Sequence, residues 1–350
     1  MSTLEQQLET EVQTETRPSP NRFFETMQAY QRTAALKTAI ELELFTAIGE
    51  TSGTVAEISK RIGASERGVR ALCDFLVVLG FIGKDLQGAE ARYIPTAESA
   101  AFLDKRSRSY IGLATTFMGS PTFQKAFSGL TGVVRAGGPL PDGIHVDDEV
   151  PVWIDFARGM ASFIYPVAEE TAKFFEGTSE AKILDVAASH GLFGIAVAKR
   201  NPNAKIVALD YPSVLGVAVE NAQRFGVSDR HTLLPGDALQ VPFGSGFDGV
   251  LVSNLLHHWD RPTIIKFLKK AHAALKPGGR IVIVEFAPND DRVSPPMPAS
   301  FVLNMLVLTP GGDAYTVAEH VEMLRAAGFS SCESHDLLPT PQTAIVATRN

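Results

Sequence analysis

Cysteine is scarce. Cys73 and Cys332 are the only two in 350 residues, too few and too far apart for a disulfide framework, and their scarcity suits a reducing compartment. Long apolar runs are missing as well, and none reaches the length needed to span a bilayer. Positive charge is the third shortage. Lys and Arg number 32 against 39 Asp and Glu, a net charge of −7, which argues against non-specific nucleic-acid binding and against anionic membrane surfaces. The opening residues include Glu5, Glu9, Glu11 and Glu15, the reverse of the basic start of a secretory leader. The expected location is the cytoplasm, with neither nucleic acid nor membrane as partner. What is plentiful is apolar side chain: 45% hydrophobic against 20% charged, enough for well-filled cores in a chain long enough for two domains.

The most informative stretch is 181–210. Ile183-Leu184-Asp185-Val186 is a short apolar run that ends in the small residues Ala187-Ala188-Ser189-His190-Gly191. A helical pattern follows, and Ile206-Val207-Ala208-Leu209 then stops on Asp210. This spacing predicts a strand–helix–strand unit. Gly191 would let backbone approach a ligand, and Gly194 would let the helix pack closely on the strand. Asp210, at the tip of the second strand, is placed to take both hydroxyls of a ribose. The stretch alone is compatible with a purely structural turn or with an adenosine-containing ligand. A dinucleotide is the obvious rival ligand, but its full fingerprint needs glycine at 189, where Ser189 stands.

Along the chain, residues 1–20 read as a polar tail. Asn21 is a candidate N-cap for a helix over 23–48, where apolar residues recur at helical spacing without Gly or Pro. From Thr54 to Pro95 two helices, turned at Gly63 and capped at Ser65, run into a short hairpin, a winged helix-turn-helix pattern. DNA binding is one reading of it. The balance from Thr54 to Phe81 is only four basic residues (Lys60, Arg61, Arg67, Arg70) against three acids (Glu57, Glu66, Asp74). The second helix is also rich in Leu, Val and Phe, so a dimer interface is the stronger reading. The domain of 21–105 is followed by a helical segment, 106–177, whose last helix runs from 152 to 175 with a kink expected at Pro166. Met160 and Phe163 on it are candidate acceptor-pocket residues. From 178 to 350 strands and helices alternate, with strands expected at 182–186, 205–209, 231–234, 246–252, 279–286, 330–337 and 344–348 and a last helix over 316–327. The final two strands are too close in sequence for a helical crossover, so that pair is antiparallel.

The strand ends on one rim of such a sheet hold its ligand. The rim supplies Asp185, Gly191, Asp210, Asp237, Ala238, Ser253 and Asn254 as candidate cofactor-binding residues. Asp237 can accept from an adenine amino group or simply cap a turn. His257, His258 and Asp260 follow the fourth strand, but nothing nearby completes a metal-ligand spacing, so no metal is expected. A histidine there suits a general base, with Glu285 orienting its ring through the other nitrogen. A satisfied structural histidine is the plainer alternative. On the next residue, His258 is a candidate for acceptor binding.

With these residues in place the chain resembles the S-adenosylmethionine-dependent O-methyltransferases of the caffeate and acetylserotonin type and their bacterial relatives. The resemblance runs from Phe23 to the C-terminus. It is carried most specifically by Leu255-Leu256-His257-His258-Trp259, by Leu275-Lys276-Pro277-Gly278-Gly279-Arg280 with Glu285, and by Gly311 to Thr316 leading to Ala327-Gly328-Phe329. It implies an α/β fold: a class I methyltransferase Rossmann-like sheet, mostly parallel with a C-terminal antiparallel pair, behind an N-terminal winged-helix dimerisation domain. It implies S-adenosylmethionine as cofactor, a homodimer, and a small, aromatic methyl acceptor. It places the catalytic base on His257 with Glu285 as its orienting acid, and cofactor contacts on Gly191, Asp210, Asp237 and Ala238. Three positions depart from the plant members: Ala187 to His190 replace the usual glycine run, Ser253 replaces a lysine, and Ala314, next to Asp313, replaces a second acid flanking the base. Rival functions are C- or N-methyl transfer with His257 only positioning the acceptor, a nicotinamide dehydrogenase, and a winged-helix ligand-sensing regulator.

Overall fold

A computed structural model describes residues 18–49, 52–141, 152–177 and 181–350. Most of the polar tail expected over 1–20 (residues 1–17) and the expected boundary at 178–179 lie outside them. The chain divides into two compact units between Tyr110 and Ile111.

The first unit opens with three helices, α1 (Asn21–Met27), α2 (Ala29–Glu41) and α3 (Leu44–Ile48), where apolar periodicity predicts one. The breaks fall at Gln28 and at Glu43, whose φ of 52° is left-handed. Periodicity registers the buried face but not such local turns. Asn21 begins α1 instead of capping it. Next come β1 (Gly53–Thr54), α4 (Val55–Ile62), α5 (Glu66–Val78), β2 (Ile82–Asp85), β3 (Arg92–Pro95) and α6 (Ala97–Phe102). Thr54 and Glu57 close a capping box on α4, Gly63 turns the chain in the left-handed region, and Ser65 Oγ accepts from Gly68 N at 3.2 Å to start α5. The three strands pair in the order β1-β3-β2. Leu44, Ile48, Ile58, Val69, Leu76 and Tyr93 form the core of this unit.

The second unit begins with α7 (Ala114–Met118), α8 (Pro121–Ser128), α9 (Leu130–Ala136) and α10 (Val152–Ala172), the last containing Pro166. A seven-stranded sheet follows, built from β4 (Lys182–Val186), β5 (Lys205–Asp210), β6 (His231–Pro235), β7 (Phe247–Ser253), β8 (Leu275–Glu285), β9 (Ser330–Asp336) and β10 (Thr343–Thr348). The intervening helices are α11 (Leu192–Arg200), α12 (Pro212–Arg224), α13 (Arg261–Ala274), α14 (Pro296–Leu308) and α15 (Val317–Ala326). The order is β6-β5-β4-β7-β8-β10-β9. Strands β4 to β8 pair in parallel, and β10 runs antiparallel to both β8 and β9. The central strands are buried on both faces, which is why they read as unbroken apolar runs. Polar, exposed β9 forms one edge.

Gly194 allows α11 to sit on this sheet. A Cβ there would stand 2.6 Å from Ile206 Cγ2 and 2.8 Å from Asp185 Oδ2. Gly191, at φ 73°, also approaches α12 closely: a Cβ there would stand 2.9 Å from Ala218 Cβ. Gly194→Ala is therefore expected to overpack the contact at a cost of about 1–3 kcal/mol. A drop of several degrees in Tm by scanning calorimetry would show it, and an unchanged Tm would refute the close seating.

Candidate active site

The carboxyl ends of β4 to β8 open onto a cavity of about 450 Å³ within the second unit. Each strand end brings a turn whose backbone is set by local hydrogen bonds. After β4, Ala187 and Ser189 adopt left-handed φ values of 55° and 51° although neither is glycine. The turn is held by Ser189 N, which donates to Asp210 Oδ2 at 2.7 Å. Tyr211 N donates to Asp210 Oδ1 at 2.7 Å. Burial nevertheless pushes the Asp210 carboxyl up to about 6, against the pull of these two donors. Asp185 lies one layer behind. Burial pushes it up to about 7, opposed by the Gly194 N–H at 2.9 Å and reinforced by the nearby Asp210 charge.

Loop residues between β7 and α13 form the opposite wall. Leu256–His258 is a single turn of 3-10 helix. Glu285, at the end of β8, organises it: Oε1 accepts from Leu255 N at 2.9 Å and Leu256 N at 2.7 Å, and Oε2 lies 2.6 Å from His257 Nδ1. Burial raises the Glu285 pKa, but the His257 ring and the Leu256 N–H outweigh it and hold the carboxyl below its usual value. Glu285 is thus an anion, and its Oε2 accepts from His257 Nδ1–H, which fixes the orientation of the ring. His257 itself is recessed, 5% exposed, with its ring 4.5 Å from His258 and 4.9 Å from Phe301 of α14. His258 lines the cavity directly. Burial, and then the neighbouring His257, lower its pKa well below the usual imidazole value, so it is neutral.

Of the residues singled out in the sequence, Asp210, Asp237, Ser253, Asn254 and His258 line the cavity. Asp185, Gly191, Ala238, His257 and Glu285 are not among the residues that line it. Met160 and Phe163 do not belong to it. Met160 packs against the core of Val167, Leu192 and Phe193, and Phe163 is on the surface, 37% exposed. The same helix presents Trp153, Phe156 and Ile164 instead. Helical spacing names the apolar positions of α10 but not which of them meet empty space. His190 was also missed as a site residue. It takes a place where a glycine is usual, lines the cavity, and accepts from Leu192 N at 3.2 Å through Nδ1, so its proton lies on Nε2. Burial lowers its pKa to about 4. Asp313 does not supply a second acid to His257. Its backbone N–H donates to His257 O at 3.0 Å, and its carboxylate lies 3.4 Å from Arg292.

A ligand rich in hydrogen-bond donors suits this wall. Asp185 Oδ1, Asn254 Oδ1 and His258 Nδ1 are buried in or beside the cavity without a partner among the described residues. The ribose hydroxyls and adenine amino group of S-adenosylmethionine are donors of this kind, and two acids at successive strand tips face them.

The mixed sheet closed by an antiparallel β10, with acids at the tips of β5 and β6, defines a class I methyltransferase. Family models narrow this further: an O-methyltransferase domain matches residues 143–330 and an O-methyltransferase dimerisation domain matches residues 24–105. The chain belongs to the S-adenosylmethionine-dependent O-methyltransferase family. A solved structure from Nostoc punctiforme, assigned as an O-methyltransferase, is 44% identical with a TM-score of 0.90, covering 95% of this chain and 99% of that one. The 3-hydroxy-5-methyl-1-naphthoate 3-O-methyltransferase of Streptomyces sahachiroi is 29% identical, covering 90% of this chain and 91% of its own length. The acetylserotonin O-methyltransferase of Gallus gallus is 26% identical, covering 89% and 92%.

The raised Asp185 pKa has a consequence for stability. Its unfolded value is about 3.9, so the folded ionised form is disfavoured above that pH. The cost grows until the folded value near 7 and is constant above it. Without cofactor, Asp185→Asn is expected to melt several degrees higher than the parent at pH 8, with the gap closing between pH 7 and pH 4. Parallel melts across that range check it, and a gap that widens toward acid would refute the assignment.

Proposed function

We propose that this enzyme moves a methyl group from S-adenosylmethionine to a hydroxyl of a small aromatic acceptor, with His257 as general base. The observation that carries this reading is the 2.6 Å bond between His257 Nδ1 and buried Glu285, one ring behind the cavity wall. Asp210 and Asp237 would hold the ribose and adenine. Ser253, Asn254 and the His190 Nε2–H would meet the polar methionine end. The bound cofactor supplies an activated methyl group on a sulfonium. The chain's own residues then need only to hold the acceptor in line, exclude water and take its proton. His257 Nε2 takes the proton, and Glu285 balances the imidazolium that forms. His258, neutral and beside Trp153 at 5.7 Å between ring centroids, would bind the acceptor.

The relatives named above act on a hydroxynaphthoate and on acetylserotonin, both aromatic. A second reading, C- or N-methyl transfer with His257 only positioning the acceptor, is favoured by its recessed ring. An L-tyrosine C(3)-methyltransferase of Streptomyces lavendulae is a relative at 25% identity, covering 90% of this chain and 88% of its own length. The first unit would make the enzyme a homodimer, since α1 buries no residue and exposes Phe23, Phe24 and Met27. Two free cysteines suit a cytoplasmic location.

Single-turnover methyl transfer tests the base. His257→Ala is expected to slow it by ~10²–10⁴-fold with cofactor affinity nearly unchanged. Glu285→Gln should cost less, and His258→Ala should mainly weaken acceptor binding. Equal rates for the parent and His257→Ala would favour the second reading, and a crippled His258→Ala would move the base by one residue. For the cofactor, Asp210→Ala should weaken S-adenosylhomocysteine binding by about 1.5–3 kcal/mol in calorimetric titration. Light scattering of the full chain should give the mass of a dimer.

A further inference from the structure

Resting on the aromatic-acceptor reading, we propose that the pocket takes uncharged aromatic acceptors and turns away those that carry a carboxylate. Among the described residues, the cavity wall includes neither lysine nor arginine. Its charged members are two acids, Asp210 and Asp237. The histidines that line it, His190 and His258, are both held neutral by burial. The end of the cavity next to His257 is aromatic and aliphatic. Trp153 and Phe156 meet at 5.8 Å and Trp153 meets His258 at 5.7 Å, with Ile164 and Leu308 completing the wall.

Three basic side chains of the second unit are committed elsewhere. Lys270 Nζ donates to Ala238 O at 2.9 Å and lies over the Phe243 ring. Arg292 pairs with Glu319 at 2.6 Å and Arg158 with Glu220 at 2.8 Å. A carboxylate on the acceptor would therefore leave water for an apolar wall with no counter-charge among the described residues, and for a field set by two acids. Burying an unpaired anion costs far more than burying its neutral ester. The sulfonium of a bound cofactor does not alter this, because in-line transfer places it at the reacting atom and not at a distant ring substituent. His258 Nδ1, buried without a partner, offers a neutral hydrogen-bonding group in place of a cation.

Matched acceptors test this with the full-length protein: hydroxybenzoates and hydroxynaphthoates, each against its methyl ester. At pH 7.5 the ester is expected to exceed the acid in kcat/KM by about 100-fold. Phe156→Lys, which adds a cation to the wall, should narrow that ratio at least tenfold. Its affinity for S-adenosylhomocysteine reports whether the variant is folded, and if it is not, the parent's ester-to-acid ratio still decides. The same pairs are also titrated into protein saturated with S-adenosylhomocysteine, which needs no turnover. Tighter binding of the esters supports the proposal even where no oxygen is methylated, an outcome that would count only against hydroxyl transfer. Acids bound or methylated as well as their esters overturn it. Binding of neither class overturns the aromatic-acceptor reading and this proposal with it.

Discussion

A buried carboxylate is expensive unless its oxygens find donors, and the site is arranged around one whose two oxygens both do. Glu285 ends β8, an interior strand beside the central β7, and receives two backbone N–H groups and one imidazole. Those three bonds fix the turn after β7. Fixing the turn recesses His257 and brings His258 to the cavity surface, although the two are adjacent in sequence. The carboxylate in turn depends on the sheet. β7 and β8 pair in parallel up to Ser253 opposite Val284, so the turn and the acid arrive at the same rim.

The opposite wall uses the same kind of group in the opposite way. Asp185 and Asp210 sit near each other, and burial holds both above the usual carboxylate range. Asp185 keeps one oxygen without a partner. An empty fold gains nothing from this arrangement. A fold that must receive a ligand rich in donors gains an unsatisfied wall, and the stability lost in the free protein returns on binding. The two walls thus differ: a satisfied acid fixes the His257 ring, while Asp185 is left under-satisfied. Between them lies the aromatic end of Trp153 and Phe156, without Lys or Arg among the described lining residues.

Sequence alone carried the elements far. The βαβ spacing, the antiparallel closing pair and the winged module were legible because parallel strands buried on both faces are continuous apolar runs, and because caps such as Thr54 with Glu57 and Ser65 are local chemistry. The pairing of His257 with Glu285 was legible because motifs at two strand ends must meet on one rim. The breaks at Gln28 and Glu43 were not legible, since apolar spacing continues across them. Met160 and Phe163 were named in place of Trp153, Phe156 and Ile164 because an apolar residue on a helix has the same signature whether it faces a cavity, a core or solvent. Which of two adjacent histidines lines the cavity, that His190 is part of the wall, and that Asp313 turns to Arg292 depend on contacts between residues distant in the chain. Only packing in three dimensions decides those, because burial and hydrogen-bond partners are properties of neighbours in space.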